Sequence, residues 1–129
     1  MIEEYFQAQL KLLASLPFVE NPQVHFEKRA EMVGFIRGGI EFKDGSMPHY
    51  RELVDLRQPM RLVKYAYHYQ KSDGSLAFRY DNTAHHLSVS TSPHHKHSGD
   101  HEVLAARAPD LEKVLLEIEM FIKQGNAPA

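Results

Sequence analysis

Residues 62–81 read LVKYAYHYQKSDGSLAFRYD, and every second side chain in the two halves of this stretch is apolar or aromatic. In an extended chain, alternate side chains point to opposite sides, so Tyr65 and Tyr67 would share one face and His68 would lie on the other. The Asp73-Gly74 pair between the halves suits the left-handed backbone of a tight hairpin turn. The stretch therefore predicts two antiparallel strands with one aromatic face and one polar face.

The same alternation continues upstream and extends the predicted sheet. It favours strands at residues 24–27, 34–42 and 49–56, with a second hairpin turn at Asp44-Gly45 and a separate turn at Asn21-Pro22. Short turns between successive strands are typical of an antiparallel meander. We therefore predict an antiparallel β-sheet of about five strands, with one apolar face packed against helices and the other face partly solvated.

Two amphipathic segments predict the helices that cover the apolar face. Residues 2–16 carry apolar side chains at a 3.6-residue period, and Pro17 would end this helix because it lacks a backbone N–H group. Near the carboxyl terminus, Asp110 begins a second apolar stripe and Gly125 would cap the helix, leaving residues 126–129 as a frayed tail. The predicted fold is a single α+β domain in which N-terminal and C-terminal α-helices flank the sheet.

Composition excludes several classes of protein. The chain has 129 residues, 43% of them hydrophobic and 25% charged, which favours one folded domain over a disordered chain. It contains no cysteine, so it has no disulfide framework, thiolate metal site or cysteine nucleophile. Its 15 basic and 17 acidic residues give a formal charge of -2, which argues against a general basic coat for nucleic acid. An acidic start and short apolar runs predict a soluble cytoplasmic protein with no membrane contact.

Histidine is the residue type whose distribution is unusual. Nine histidines are present, and six of them fall close together in the second half of the chain: His85, His86, His94, His95, His97 and His101. The surrounding residues 82–101 show no regular period, so we predict a long loop, and such loops are usually functional or disordered. The pKa of an ordinary imidazole lies near neutrality, so this loop would be able to exchange protons at physiological pH.

The first hypothesis for this loop is metal-independent RNA cleavage by general acid–base catalysis. One imidazole would take the proton of the 2′-hydroxyl, another would protonate the leaving 5′-oxygen, and a cation would stabilise the charged transition state. The catalytic candidates are the loop histidines and the acid that would orient one of them: His85, His86, His94, His95, His97 and Asp81. The candidates for substrate binding lie beside the loop or on the predicted strands: Arg79, Lys96, Arg51, Tyr80 and His68.

The first hypothesis needs no cofactor. Two alternatives to it stay open at this point. Neutral imidazole also binds zinc and similar divalent transition metals, and His86, His95, His97 and Asp81 offer a ligand set, although their spacing matches no defined zinc motif. The protein would then be a metal-binding or partner-binding module without catalytic activity. The other alternative is a solvated loop whose histidines only cap turns or bond to backbone carbonyls.

Several motifs, in order along the chain, resemble one family of small prokaryotic proteins. They are FEKR at residues 26–29, GFIRG at 34–38, FKDGS at 42–46, RELVD at 51–55, the segment 64–82 that ends in FRYDN, HH at 85–86 and PHHKH at 93–97. Over most of its length the chain is similar to the TumE toxins of type II toxin–antitoxin systems. The matched polar positions are Tyr80, Asp81, Asn82, His85, His86, His94, His95, Lys96 and His97.

The resemblance implies a role and partners. The chain would be the toxin component of a toxin–antitoxin system, and its cognate antitoxin would carry a DNA-binding helix-turn-helix domain. Toxins of this general class commonly act on RNA, so RNA is the expected substrate and a ribonuclease the expected kind of enzyme. A homodimer is a further possibility.

Overall fold

The computed structural model describes residues 1–83 and 89–124, in which two helices and seven strands follow one another along the chain. Helix α1 spans Ile2–Ser15 and helix α2 spans Leu111–Lys123. The strands are β1 (Val19–Ala30), β2 (Val33–Phe42), β3 (His49–Asp55), β4 (Arg61–Gln70), β5 (Leu76–Asp81), β6 (His95–Ser98) and β7 (Val103–Ala105). Predictions for His85, His86, Gly125 and residues 126–129 lie outside the described residues.

The seven strands form one antiparallel sheet in which each strand pairs with the next along the chain. This arrangement confirms the predicted α+β meander flanked by two terminal helices, with two strands more than the five expected. Residues 95–98, which the sequence places in a long loop, instead form β6 and pair with β5. Strand β6 has polar side chains on both sides, so its alternation carries no hydrophobic signal.

Both helices pack on one face of the sheet, which we call the helix face. Tyr65, Tyr67 and Tyr69 project into this interface and are buried, as the alternation in β4 predicts. The ring of Phe121 in α2 packs edge-on against Tyr69, with the ring centroids 5.7 Å apart. Removal of these apolar surfaces from water is the main stabilising contribution to the fold. Among the described residues, no helix is long and apolar enough to cross a membrane.

A buried carboxyl group joins α1 to the middle of the sheet. Glu52 in β3 is 1% exposed, and its Oε1 accepts hydrogen bonds of 2.7 Å from both Tyr5 Oη and Gln9 Nε2 of α1. Its Oε2 accepts a further bond from Tyr67 Oη. Burial raises the pKa of Glu52, although the three donors oppose that rise. One acceptor therefore satisfies three polar groups that have little or no access to water.

The turns follow the predicted chemistry at two places and depart from it at a third. Gly45 and Gly74 in the two Asp-Gly turns take positive φ angles of 85° and 88°, as tight turns require. The turn predicted at Asn21-Pro22 is instead an irregularity within β1, where Asn21 has a φ of 41° and the pairing with β2 shifts. Pro22 lacks a donor for the ladder, and the sheet tolerates it because β1 is an edge strand.

Candidate functional site

The face of the sheet opposite the helices, which we call the open face, carries two straight rows of side chains. Strand register sets these rows, because directly paired residues of neighbouring strands project to the same side. The first row is Arg51, Ala66, Asp81 and His95, and the second is His49, His68, Arg79 and His97. The sheet therefore brings together side chains that are far apart in the sequence, and it confirms that Arg51, His68 and Arg79 share one polar face.

Three side chains of these rows meet around the carboxylate of a fourth, and we call the four residues the Asp81 cluster: Arg79, Asp81, His95 and His97. Asp81 Oδ1 lies 2.9 Å from His95 Nε2. Asp81 Oδ2 lies 2.9 Å from Arg79 Nε and 3.7 Å from His97 Nε2. The two imidazole Nε2 atoms are 3.0 Å apart. Three residues predicted for catalysis and one predicted for substrate binding thus converge at this point.

Asp81 provides a fixed negative charge. Burial alone would raise the pKa of this carboxyl group, but the hydrogen bonds from Arg79 and from the Thr83 backbone N–H outweigh it, with a further contribution from His95. The net effect is a pKa of Asp81 below its usual range. The carboxylate is therefore ionised at neutral pH, where it orients the arginine and the imidazoles around it.

His95 is fully buried, and its surroundings show which nitrogen carries a proton. Its Nδ1 lies 2.8 Å from the backbone oxygen of Pro93, which only accepts, so Nδ1 donates. Its Nε2 then faces the Asp81 carboxylate, and two acceptors at 2.9 Å repel each other unless a positive charge lies between them. The geometry fits one positive charge between the two groups, supplied either by a proton or by a metal ion shared by the cluster.

The outer part of the cluster is accessible to a substrate. The side chains of His97 and Arg79 are 32% and 29% exposed, whereas that of His95 is 0% exposed. On its other side, Arg79 Nη1 donates to His68 Nδ1 at 3.2 Å, which leaves His68 Nε2 to donate to Gln70 Oε1 at 3.2 Å. The guanidinium group therefore lies between two imidazoles in one row of the open face.

The titration of His68 depends on this neighbourhood. Burial lowers the pKa of His68, and the positive charge of Arg79 lowers it further. We expect Arg79→Ala to raise the midpoint of His68, followed by NMR, towards the ordinary value of 6.5, because the variant removes a charge and admits water. Arg61→Ala, at the opposite end of β4, is the control and should leave the midpoint unchanged. A midpoint that stays constant or falls in Arg79→Ala would contradict this description.

Three of the predicted residues lie on the helix face, away from the cluster. Lys96 Nζ bonds to Glu117 Oε2 of α2 at 2.5 Å, and Tyr80 Oη bonds to Glu117 Oε1 at 2.6 Å. His94 Nδ1 lies 2.8 Å from Tyr65 Oη, and burial raises the pKa of Tyr65 to about 12. Neighbouring residues of a strand alternate in direction, so Lys96 points away from the face that His95 and His97 share. We therefore leave these three out of the proposed centre.

A groove on the open face adjoins the cluster. Its volume is about 730 Å³, and its lining includes Arg29, Arg51 and Lys64 as well as Thr83 and Pro93 beside the cluster. The sequence predicts a substrate role only for Arg51 among these cations. The sequence could have indicated Lys64, because alternation within β4 places it on the polar face. Arg29 could not be found in this way, because it lies at a shift in strand pairing that no local pattern indicates.

Comparison with known proteins identifies the family. The family model described as Toxin TumE matches residues 9–125, a range that includes the whole sheet and the Asp81 cluster. No curated protein and no solved structure matches the chain. The family match covers nearly the whole chain and confirms the resemblance drawn from the motifs, so the chain belongs to the TumE toxin family.

Proposed function

We propose that this toxin cleaves RNA without a metal ion at the open face of its sheet. The observation that carries the proposal is the position of Arg79 between His68 and His97, with Asp81 and His95 beside them. A guanidinium flanked by two imidazoles supplies a phosphate-binding cation and two proton-transfer groups within a small area. Membership in a toxin family supports the toxic role.

The proposed reaction transfers one proton in each direction. Arg79 binds a phosphate oxygen of the RNA. Its Nη1 then no longer donates to His68 Nδ1, so this nitrogen becomes able to accept a proton. His68 takes the proton of the 2′-hydroxyl, the 2′-oxygen bonds to phosphorus, and the bond between phosphorus and the 5′-oxygen breaks. Imidazolium His97 gives its proton to the departing 5′-oxygen. The products are a 2′,3′-cyclic phosphate and a 5′-hydroxyl, and no other reactant is consumed.

Asp81 and His95 are positioning residues in this proposal. Asp81 engages Arg79 through Nε, which leaves Nη2, and Nη1 once it has left His68, to face a phosphate. His95 is held from behind by the Pro93 carbonyl and packs at 4.7 Å, ring centroid to ring centroid, against His97. Neighbours that hold a catalytic group in place reduce the conformational entropy that is lost when the substrate binds.

A toxin family also implies an antitoxin partner. We extend the proposal to an antitoxin that carries a DNA-binding helix-turn-helix domain, as the resemblance of the motifs implies. The proposal places the reaction in the cytoplasm, since cellular RNA is there. A homodimer stays a prediction from the sequence.

Incubation of the purified protein with total RNA in excess EDTA tests the metal-free reaction. We expect cleavage at the same rate with and without EDTA, because no step uses a metal ion. Arg79→Ala is the comparison variant, and it should cleave more slowly because the phosphate loses its cation. RNA that stays intact in EDTA and is cleaved after a divalent ion is restored would contradict the metal-free reaction.

A second candidate, a metal site, is favoured by one observation. Asp81, His95 and His97 each place one ligand atom within 4.8 Å of the other two. The bond from His95 Nδ1 to the Pro93 carbonyl is an outer contact of the kind that orients a metal-binding imidazole. Two imidazoles and a carboxylate suit zinc or a similar divalent transition metal. His86, the fourth ligand that the sequence suggests, lies outside the described residues.

Metal analysis of protein purified without a histidine tag separates the two candidates. Under the second candidate, each chain binds one metal ion, and His95→Ala loses both the ion and thermal stability. Under the metal-free proposal, the purified protein holds no stoichiometric metal, and added zinc leaves the Tm unchanged.

A further inference from the structure

We propose that the open face binds single-stranded RNA along a path that leads from β1–β3 to the Asp81 cluster. This inference rests on the proposed function and adds the form of the substrate and the surface that holds it. Its starting point is the groove of about 730 Å³, whose lining includes Thr83 and Pro93. The Thr83 backbone N–H donates to Asp81, and the Pro93 carbonyl accepts from His95, so the groove ends at the cluster.

Positive side chains follow the path away from the cluster. Arg51 and Arg37 are exposed and pair directly across β3 and β2, and Lys64 is exposed on β4. A second groove of about 580 Å³ continues beyond this point, and its lining includes Arg37, His25 and His49. A chain of phosphates laid along both grooves would therefore meet a cation or an imidazole on each strand that it crosses.

The acids on this face lie away from the two central arginines. Glu27 ion-pairs with Arg29 at 2.8 Å, and Glu20 and Glu41 pair across β1 and β2 at the far end of the second groove, four residues along β2 from Arg37. Within residues 1–83 and 89–124, neither Arg37 nor Arg51 has a carboxylate within the 4.0 Å of an ion pair. Two uncompensated guanidinium groups side by side give the middle of the face a positive potential, although the chain as a whole is slightly acidic.

Phe35 gives the groove beside the cluster a surface for a base. Its ring is half-buried, and Arg29 lies over it with Cζ 5.1 Å from the ring centroid, so a base would stack on the ring by taking the place of this guanidinium. Leu53 and Ala66 extend the apolar floor. Stacking on an aromatic ring needs an exposed base face, which a duplex hides within its own stack. The combination of an apolar floor and a basic rim therefore favours single-stranded RNA over a duplex.

The length of the path suits a short single-stranded segment. From β1 to β6 it crosses five gaps between neighbouring strands, each about 4.8 Å, or roughly 24 Å in all. Single-stranded sites on small domains begin at about four nucleotides. A segment of that size would reach from the far groove to the Asp81 cluster.

Fluorescence anisotropy with a labelled single-stranded RNA of mixed sequence tests the path, on a His97→Ala background that keeps the RNA intact. We expect Arg37→Ala/Arg51→Ala to raise the Kd at least about tenfold and to reduce the slope of log K against log salt by about 1.4. The matched control is Lys11→Ala/Lys113→Ala, which removes two exposed charges from the helices and should leave the Kd unchanged.

A third variant tests the stacking surface. Phe35→Ala should raise the Kd about tenfold without changing the salt slope, because it removes a stacking partner and no charge. Circular dichroism checks that each variant is folded. Any one of three results would overturn the path: equal effects of the two double variants on the Kd, tighter binding of a duplex of the same sequence, or no RNA binding by the parent protein.

The binding test is independent of cleavage. A protein that binds RNA along the open face but leaves it intact overturns the proposed function and supports the path. A protein that cleaves RNA yet binds it equally well after both arginine substitutions overturns the path and leaves the proposed function standing.

Discussion

Replacing His97 by alanine is expected to lower the rate of RNA cleavage about 10²–10⁴-fold, because one positioned acid or base contributes about that much. Of the two imidazoles beside Asp81, only His97 is exposed enough to reach a leaving group, at 32% against 0% for His95. The measurement is the single-turnover rate with labelled RNA in EDTA, at saturating protein, so that weaker binding does not enter the rate.

The matched control for this variant is His101→Asn. His101 is exposed and has a φ of 69°, a backbone conformation that asparagine tolerates, so the change removes an imidazole without strain. We expect its cleavage rate to equal that of the wild type. A folded His97→Ala protein with the wild-type rate, or equal losses in both variants, would remove His97 from the mechanism.

Glu52→Ala is expected to lower the free energy of unfolding by about 3–5 kcal/mol, because three donors lose their shared buried acceptor at once. The substitution leaves the hydroxyls of Tyr5 and Tyr67 and the amide of Gln9 without their shared acceptor. Each such unsatisfied group costs about 1–3 kcal/mol. Urea denaturation at low temperature measures the loss, which is a large share of the roughly 5–15 kcal/mol that holds a domain folded.

Two further variants define the cause of that loss. Glu52→Gln keeps an acceptor oxygen and the side-chain volume, so we expect it to fold and to lose less stability than Glu52→Ala. Glu112→Ala removes an exposed acid from the first turn of α2 and should cost less than about 1 kcal/mol. A Glu52→Ala protein as stable as Glu112→Ala would show that the network is not what joins α1 to the sheet.

Much of the fold follows from local signals. The period of two and the Asp-Gly pair in residues 62–81 predict the β4–β5 hairpin and the buried Tyr67, because strand alternation and turn chemistry depend on near neighbours. Strand β6 is different, since its side chains are polar on both sides and the strand exists through its pairing with β5. Asn21-Pro22 is likewise predicted as a turn from the sequence alone, and only the pairing of β1 with β2 shows that it is an irregularity within a strand.

The candidate site divides in the same way. The concentration of histidines and the predicted role of Asp81 as an orienting acid are visible in the sequence alone. Which histidine faces Asp81 depends on register, and of the neighbours Lys96 and His97 only His97 points to the open face. The place of His68 beside Arg79 also depends on how two strands pair. Tertiary pairing therefore selects the site from among the candidates.

The chemical ends of the RNA fragments made in EDTA test the central claim most directly. Mass spectrometry of the products should find 2′,3′-cyclic phosphates and 5′-hydroxyls, because the proposed reaction joins the 2′-oxygen to phosphorus. DNA of the same sequence should stay intact, since it has no 2′-hydroxyl to attack. Fragments that end in a 3′-hydroxyl and a 5′-phosphate, or RNA that stays whole in EDTA, would contradict metal-free cleavage at the Asp81 cluster.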